Sequence, residues 1–164
     1  FEDSLEYYEK ALVINPEDSR AWYGKGDALT KLGEYTEAIK CYENAIRVKP
    51  KSEQAWYGKA TALRFSGRTD EALQSYDKTI EVNPGHEDAL YDKGTLLTLV
   101  KRFSEALECF VQVLSINPRH KGAMGKKEEI EVRPAEKEED KNKAAKSWFR
   151  TESWQIRRSA EAVR

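Results

Sequence analysis

The pair Trp22-Tyr23 returns thirty-four residues later as Trp56-Tyr57, and after thirty-four more as Leu90-Tyr91. A fixed period of this length means that each unit is one supersecondary element unable to bury its apolar face alone, so neighbours must stack into a shared core. The rest of the unit keeps the same register: Gly26, Ala60 and Gly94; Leu29, Leu63 and Leu97; Ala38, Ala72 and Ala106; Tyr42, Tyr76 and Phe110. Each copy closes on a proline, at Pro16, Pro50, Pro84 and Pro118. Extended backwards, the register assigns Ser4, Tyr8 and Ala11 to an incomplete first copy, which makes four copies, three of them complete.

Within one period the spacing is helical. Trp22, Gly26, Leu29 and Leu32 fall at three- and four-residue steps, and so do Ala38, Tyr42, Ala45 and Ile46. Gly33 separates the two runs at a place where positive φ ends a helix cheaply, and Gly67 repeats it. Lys101 stands at the third such site, so that turn is expected to be strained. The small residues Gly26, Ala60 and Gly94 are expected to let paired helices approach closely. The predicted architecture is all-α: an α-solenoid of stacked helix pairs. Its units are a second helix alone over 1–18, full pairs over 19–52, 53–86 and 87–120, a polar capping helix over 121–133, and a tail over 134–164.

These coincident positions resemble the tetratricopeptide repeat, whose units pair two antiparallel helices marked by Trp, Leu, Gly and Tyr, then Ala, aromatic, Ala and Pro. The match covers residues 1 to 118, and its Trp-Tyr-x-Lys-Gly style is similar to arrays frequent in methanogenic archaea. It departs from the family pattern where Lys25, Lys59 and Lys93 replace a Leu, where Leu90 replaces Trp, and where Thr79 and Val113 replace Ala. A lysine stem tolerates such a place by covering apolar surface while its ammonium reaches water. The resemblance implies a right-handed α-solenoid of antiparallel helix pairs, and a module that binds another protein or peptide and needs no cofactor.

Composition narrows the function further. The chain of 164 residues is 39% hydrophobic and 35% charged, as expected of a soluble protein. Apolar runs such as Leu96 to Val100 are far too short to span a bilayer, so no membrane partner and a cytoplasmic setting are expected. Cys41 and Cys109 share one repeat position two units apart, with Ser75 at that position between them and expected on an outer face, and the cysteines are beyond disulfide reach across several helix layers. His86 and His120 also share a position and are expected in exposed loops, without the neighbours a metal site needs. No phosphate-cradling glycine loop, Gly-x-Ser-x-Gly elbow or His-Glu-x-x-His occurs, so no enzyme is expected and no catalytic, metal or cofactor residue is assigned.

Function is therefore expected on the concave face, lined by the first helix of each pair. The candidate protein-binding groove comprises Tyr23, Asp27 and Thr30, then Tyr57, Thr61 and Arg64, then Tyr91, Asp92 and Thr95. A tyrosine ladder offers apolar area with a hydrogen-bonding tip, which suits an extended peptide or an inserted helix, although the same rings also serve packing. Family members that capture the carboxyl terminus of heat-shock chaperones use a clamp of Lys, Asn, Asn, Lys and Arg. Here those places hold Tyr23, Asp27, Gly58, Asp88 and Asp92, and no such clamp is expected, because aspartates repel a carboxylate.

Charge divides the chain. Residues 1–118 carry 15 Lys/Arg against 20 Asp/Glu, and residues 119–164 carry 13 against 9. The array at −5 lacks the concentrated basic footprint of a nucleic-acid binder, so no nucleic acid is expected. In the basic tail, Trp148, Phe149, Trp154 and Ile156 form a candidate docking segment, the other reading being a flexible linker. Docking on its own or a neighbouring array would make the chain a self-assembly module, and a regulatory domain of a larger enzyme is a further alternative. At the other end, Phe1, Leu5 and Tyr8 are expected to be exposed, the first unit having no first helix.

Overall fold

A computed structural model of the chain describes residues 2–132, and these are helical throughout apart from short turns. In order they are α1 (Glu2–Ile14), α2 (Ser19–Leu32), α3 (Tyr35–Val48), α4 (Glu53–Phe65), α5 (Thr69–Val82), α6 (Glu87–Leu99) and α7 (Phe103–Ile116). An eighth helix, α8, occupies residues 121–132. Helices α2 and α3, α4 and α5, and α6 and α7 pack as pairs, each pair stacks on the next, and α2 also touches α4 directly. The result is a solenoid in which the even-numbered helices line one side.

Local chemistry sets the boundaries. Asp18 caps α2 by accepting from the N–H groups of Arg20 and Ala21, and the Ser52 hydroxyl caps α4 through Ala55. The indole N–H of Trp22 donates to the Pro16 carbonyl at 2.8 Å, and Trp56 does the same to Pro50 at 2.9 Å. These bonds explain why the repeat carries Trp and Pro together: the proline ends one unit and its carbonyl anchors the next. Gly33 and Gly67 turn the chain at φ of 83° and 80°, and Lys101 is forced to 64° at the third turn, the strain anticipated for a residue with a Cβ.

The core runs the length of the stack. Ala38, Ala60, Ala72, Leu63, Tyr76, Leu97, Ala106, Phe110 and Val113 are fully buried in one continuous cluster that ends on Ala123 and Ile130 of α8. The close approach expected at Gly26 and Gly94 is present. A Cβ on Gly26 would lie 2.9 Å from the Tyr42 ring, and one on Gly94 would lie 2.9 Å from Phe110.

Several expectations need correction. Ser75, read as outward-facing, is buried with Cys41 and Cys109, a position that faces the paired first helix: the Cβ of Cys109 lies 3.1 Å from where a Cβ on Gly94 would stand. Its hydroxyl is satisfied by the Glu71 carbonyl. Leu32, assigned to the apolar stripe, is 43% exposed at the end of α2. Leu5 and Tyr8 are half-buried: Leu5 packs on the core, and the Tyr8 ring lies over Gly24. Exposure at that end falls instead on Tyr7, Val13 and Ile14. The lysines at the departing Leu positions do more than snorkel. Lys25 pairs with Glu9, Lys59 with Glu43 and Lys93 with Asp77, each bridging to the preceding unit within 2.9 Å. The ladder stops at Val111, and the next lysine, Lys127, turns to Glu131 of its own helix.

Candidate functional site

The lining of the groove follows from helical spacing. Tyr23, Asp27 and Thr30 lie at steps of four and three along α2, so they share a face, and Tyr57, Thr61 and Arg64 repeat that face on α4. Tyr91, Asp92 and Thr95 occupy α6. All nine are half-buried, with one side against the core and the other toward solvent.

The tyrosine ladder proves to be a double layer. Each groove tyrosine leans on a buried ring of its partner helix: Tyr23 on Tyr42, Tyr57 on Tyr76 and Tyr91 on Phe110, with centroids 5.9, 6.1 and 5.9 Å apart. Tilted contacts at this range are favourable beyond area burial alone. The ladder therefore packs and lines the groove together, each ring with one face on the core.

Histidines add a layer that spacing did not reveal. His86 is the N-cap of α6, its Nδ1 accepting from the Ala89 N–H at 3.2 Å, and its ring lies 4.9 Å from that of Tyr57. His120 repeats both contacts with Ala123 and Tyr91, at 2.9 Å and 4.8 Å. Neither is the exposed loop residue expected from sequence, since each is half-buried between a helix start and a groove ring. The available signal was their position two residues after proline, where the equivalent residues Asp18 and Ser52 are caps. In both caps Nδ1 serves as the acceptor, and His120 Nε2 lies 3.7 Å from the Glu87 carboxylate.

Position 24 of the register organises the floor. Tyr42 enters a slot between two glycines, since a Cβ on Gly58 would lie 2.5 Å from its ring, opposite the contact at Gly26. In the next unit the equivalent of Gly58 is Asp92, and it accepts a hydrogen bond from the Tyr57 hydroxyl at 2.9 Å. This bond joins α4 to α6 across the groove. Burial, followed by the charge of Asp92, pushes the Tyr57 phenol well above the ordinary tyrosine range. The Tyr23 phenol is raised by burial and by Asp27, which also holds Lys31 at 2.7 Å.

The places of the chaperone clamp hold Tyr23, Asp27, Gly58, Asp88 and Asp92, and their structural roles are a ring contact, an ion pair, a slot for Tyr42, an exposed first-turn acid and a tyrosine acceptor. Among the described residues no group of three His, Cys, Asp or Glu side chains could hold a metal, and both cysteines are buried free thiols. The tail residues Trp148, Phe149, Trp154 and Ile156 lie outside the described residues.

Helix pairs at a thirty-four-residue period, Trp-to-Pro anchors and a groove lined by first helices define a helical-repeat protein. Tetratricopeptide repeat profiles match residues 19–52 and 57–121, more than half of the sequence, and the chain belongs to the tetratricopeptide repeat family. Similar solved structures include MamA, with a TM-score of 0.68 and 21% identity over 85% of this chain and 89% of that one. The first tetratricopeptide domain of Spaghetti (RPAP3), bound to an HSP90 peptide, gives 0.68 and 21% over 71% and 93%. The tetratricopeptide domain of Arabidopsis OM64 gives 0.65 and 23% over 70% and 94%. These likenesses establish the right-handed solenoid fold. No curated protein matches the sequence.

Proposed function

We propose that this array is a protein-interaction scaffold that takes an extended peptide or a short helix of another protein into its concave groove, and that it performs no catalysis of its own. The observation that carries this reading is the face shared by Tyr23, Asp27, Tyr57, Thr61, Arg64, Tyr91, Asp92 and Thr95, half-exposed on three successive first helices and braced from behind by buried rings. Rigid aromatic anchors with adjacent polar groups lose little entropy on binding, which favours recognition. The peptide-bound Spaghetti domain supports the general mode. A chaperone carboxyl terminus is disfavoured as the ligand, because Asp88 and Asp92 stand where that clamp needs cations and Asp27 stands where it needs an amide.

The reading assigns the units to 1–18, 19–52, 53–86 and 87–120, with 121–133 as cap. A cytoplasmic setting is part of the proposal; no described helix is long and apolar enough to cross a membrane, and Cys41 and Cys109 are buried free thiols. Filling the groove tests the proposal. A binder selected from a phage-displayed random 12-residue peptide library is synthesised in capped form and titrated against the chain. Asp27→Trp and Thr95→Trp should abolish binding, whereas Lys40→Trp and Gln74→Trp, on the exposed faces of α3 and α5, should leave it unchanged. Binding lost only in the second pair would place the site on the convex side.

A further inference from the structure

In the middle unit of the groove three buried polar atoms have no hydrogen-bond partner among the described residues: Thr61 Oγ1, Arg64 Nε and the Tyr76 hydroxyl. They belong together in space, since the Thr61 and Arg64 side chains both approach the Tyr76 phenol, yet none of these contacts is short and aligned enough to be a hydrogen bond. That phenol is pushed up to about 12, first by burial and next by Asp92. The neighbouring units do not share the feature. In the first, Thr30 donates to the Gly26 carbonyl at 2.9 Å and sits 3.2 Å from the Tyr42 hydroxyl, so that set is closed. In the third, Thr95 and Thr98 donate to the carbonyls of Tyr91 and Gly94, and Phe110 has no hydroxyl to satisfy. Thr61 alone of these threonines leaves the carbonyl one turn back unbonded, and Tyr76, fully buried, leaves its hydroxyl unpaired. Orphaned buried polar groups are destabilising unless something else satisfies them.

We infer that Thr61, Arg64 and Tyr76 form a subsite for one neutral carbonyl oxygen of a bound peptide, either a main-chain amide or an Asn/Gln side chain; this rests on the groove-binding reading above. The chemistry selects the ligand. Arg64 Nε–H is a donor only, and the two hydroxyls can each turn a proton toward the same point, so the set presents convergent donors to an acceptor. A carboxylate is disfavoured because the Asp92 charge reaches both Tyr57 and Tyr76, and Asp88 also acts on Tyr57. The Arg64 guanidinium rests 4.5 Å above the Phe65 ring, whose own surface is half-exposed and which stacks on Tyr35.

The test uses the full chain and the capped peptide selected from the random 12-residue library. Tyr76→Phe, Thr61→Val and Arg64→Lys should each weaken peptide binding about 3- to 10-fold, the range of one neutral hydrogen bond. Tyr76→Phe without peptide should melt at the same temperature or higher, because it deletes an unpaired buried hydroxyl; this separates loss of binding from loss of folding. A lower melting point for Tyr76→Phe with unchanged affinity would show that the hydroxyl is satisfied internally and would overturn the subsite. Affinities within about twofold of the parent in all three variants, with Asp27→Trp still blocking, would refute the subsite and leave the groove intact. Should neither Asp27→Trp nor Thr95→Trp block the peptide, or should no binder emerge, the groove reading fails and the subsite with it.

Discussion

One alanine methyl at residue 58 should destabilise the array, although alanine is the better helix former. The Tyr42 ring is 2% exposed, and a Cβ on Gly58 would lie 2.5 Å and 2.6 Å from two of its carbons. The ring cannot retreat, because Gly26 on its other side allows only 2.9 Å and Thr30 holds its hydroxyl at 3.2 Å. Overpacking of this kind costs ~1–3 kcal/mol, while replacing a mid-helix glycine by alanine returns ~0.5–1 kcal/mol. Gly58→Ala should therefore lose about 1 kcal/mol net, read as a lower denaturant midpoint by circular dichroism. Two further glycines grade the argument. At Gly24 the obstacle is Tyr8, half-buried on the first helix and able to swing away, so Gly24→Ala should cost less. Gly125 in α8 has nothing within 4 Å of a built Cβ, and Gly125→Ala should stabilise by ~0.5–1 kcal/mol. If Gly58→Ala were as stable as Gly125→Ala, the ring would not be wedged and the groove floor would not be rigid.

Lys101→Gly should raise stability by ~0.5–1 kcal/mol by relieving the φ of 64°, and a midpoint equal to or below the parent's would show that turn to be unstrained. Ala72→Leu and Ser75→Leu should both destabilise by ~1–3 kcal/mol, since both positions are buried, and an unaffected Ser75→Leu would return that residue to the surface. At alkaline pH, Tyr23, Tyr42, Tyr57 and Tyr76 all have phenols raised by burial, so their contribution to stability is full below the ordinary value of 10.0 and is lost as pH rises through the folded value, about 12 for Tyr76. Tyrosinate absorbance at 295 nm should then rise cooperatively with loss of helicity, and smooth ionisation of all phenols near pH 10 with the fold intact would contradict it.

The fold was largely legible in the sequence because a solenoid repeats its constraints. Each unit must present the same small residue, ring and proline to its neighbours, so Gly26, Tyr42 and Pro50 each appear at their register places. Trp22 and Pro16 are legible as landmarks, yet their hydrogen bond needs coordinates. The groove was legible as a face and illegible as a network. Tyr57 to Asp92 spans 35 residues, and it depends on Asp92 standing where the earlier units have glycine, a departure that periodicity treats as noise. His86 and His120 were misplaced in loops because histidine is an uncommon cap, and Ser75 was misplaced outward because its polarity outweighed its register with Cys41 and Cys109. Departures from the repeat, at Asp92, Arg64 and Lys101, are where the chain has its individual chemistry.

The central claim is that the concave face is the binding face. Backbone amide shifts of isotope-labelled chain, titrated with the selected capped peptide, test it directly. The account predicts saturable shifts concentrated on α2, α4 and α6, centred on Tyr23, Tyr57 and Tyr91, with α3, α5 and α7 quiet on their outer faces. Shifts clustered instead around exposed Lys40, Gln74 and Glu108 would contradict it.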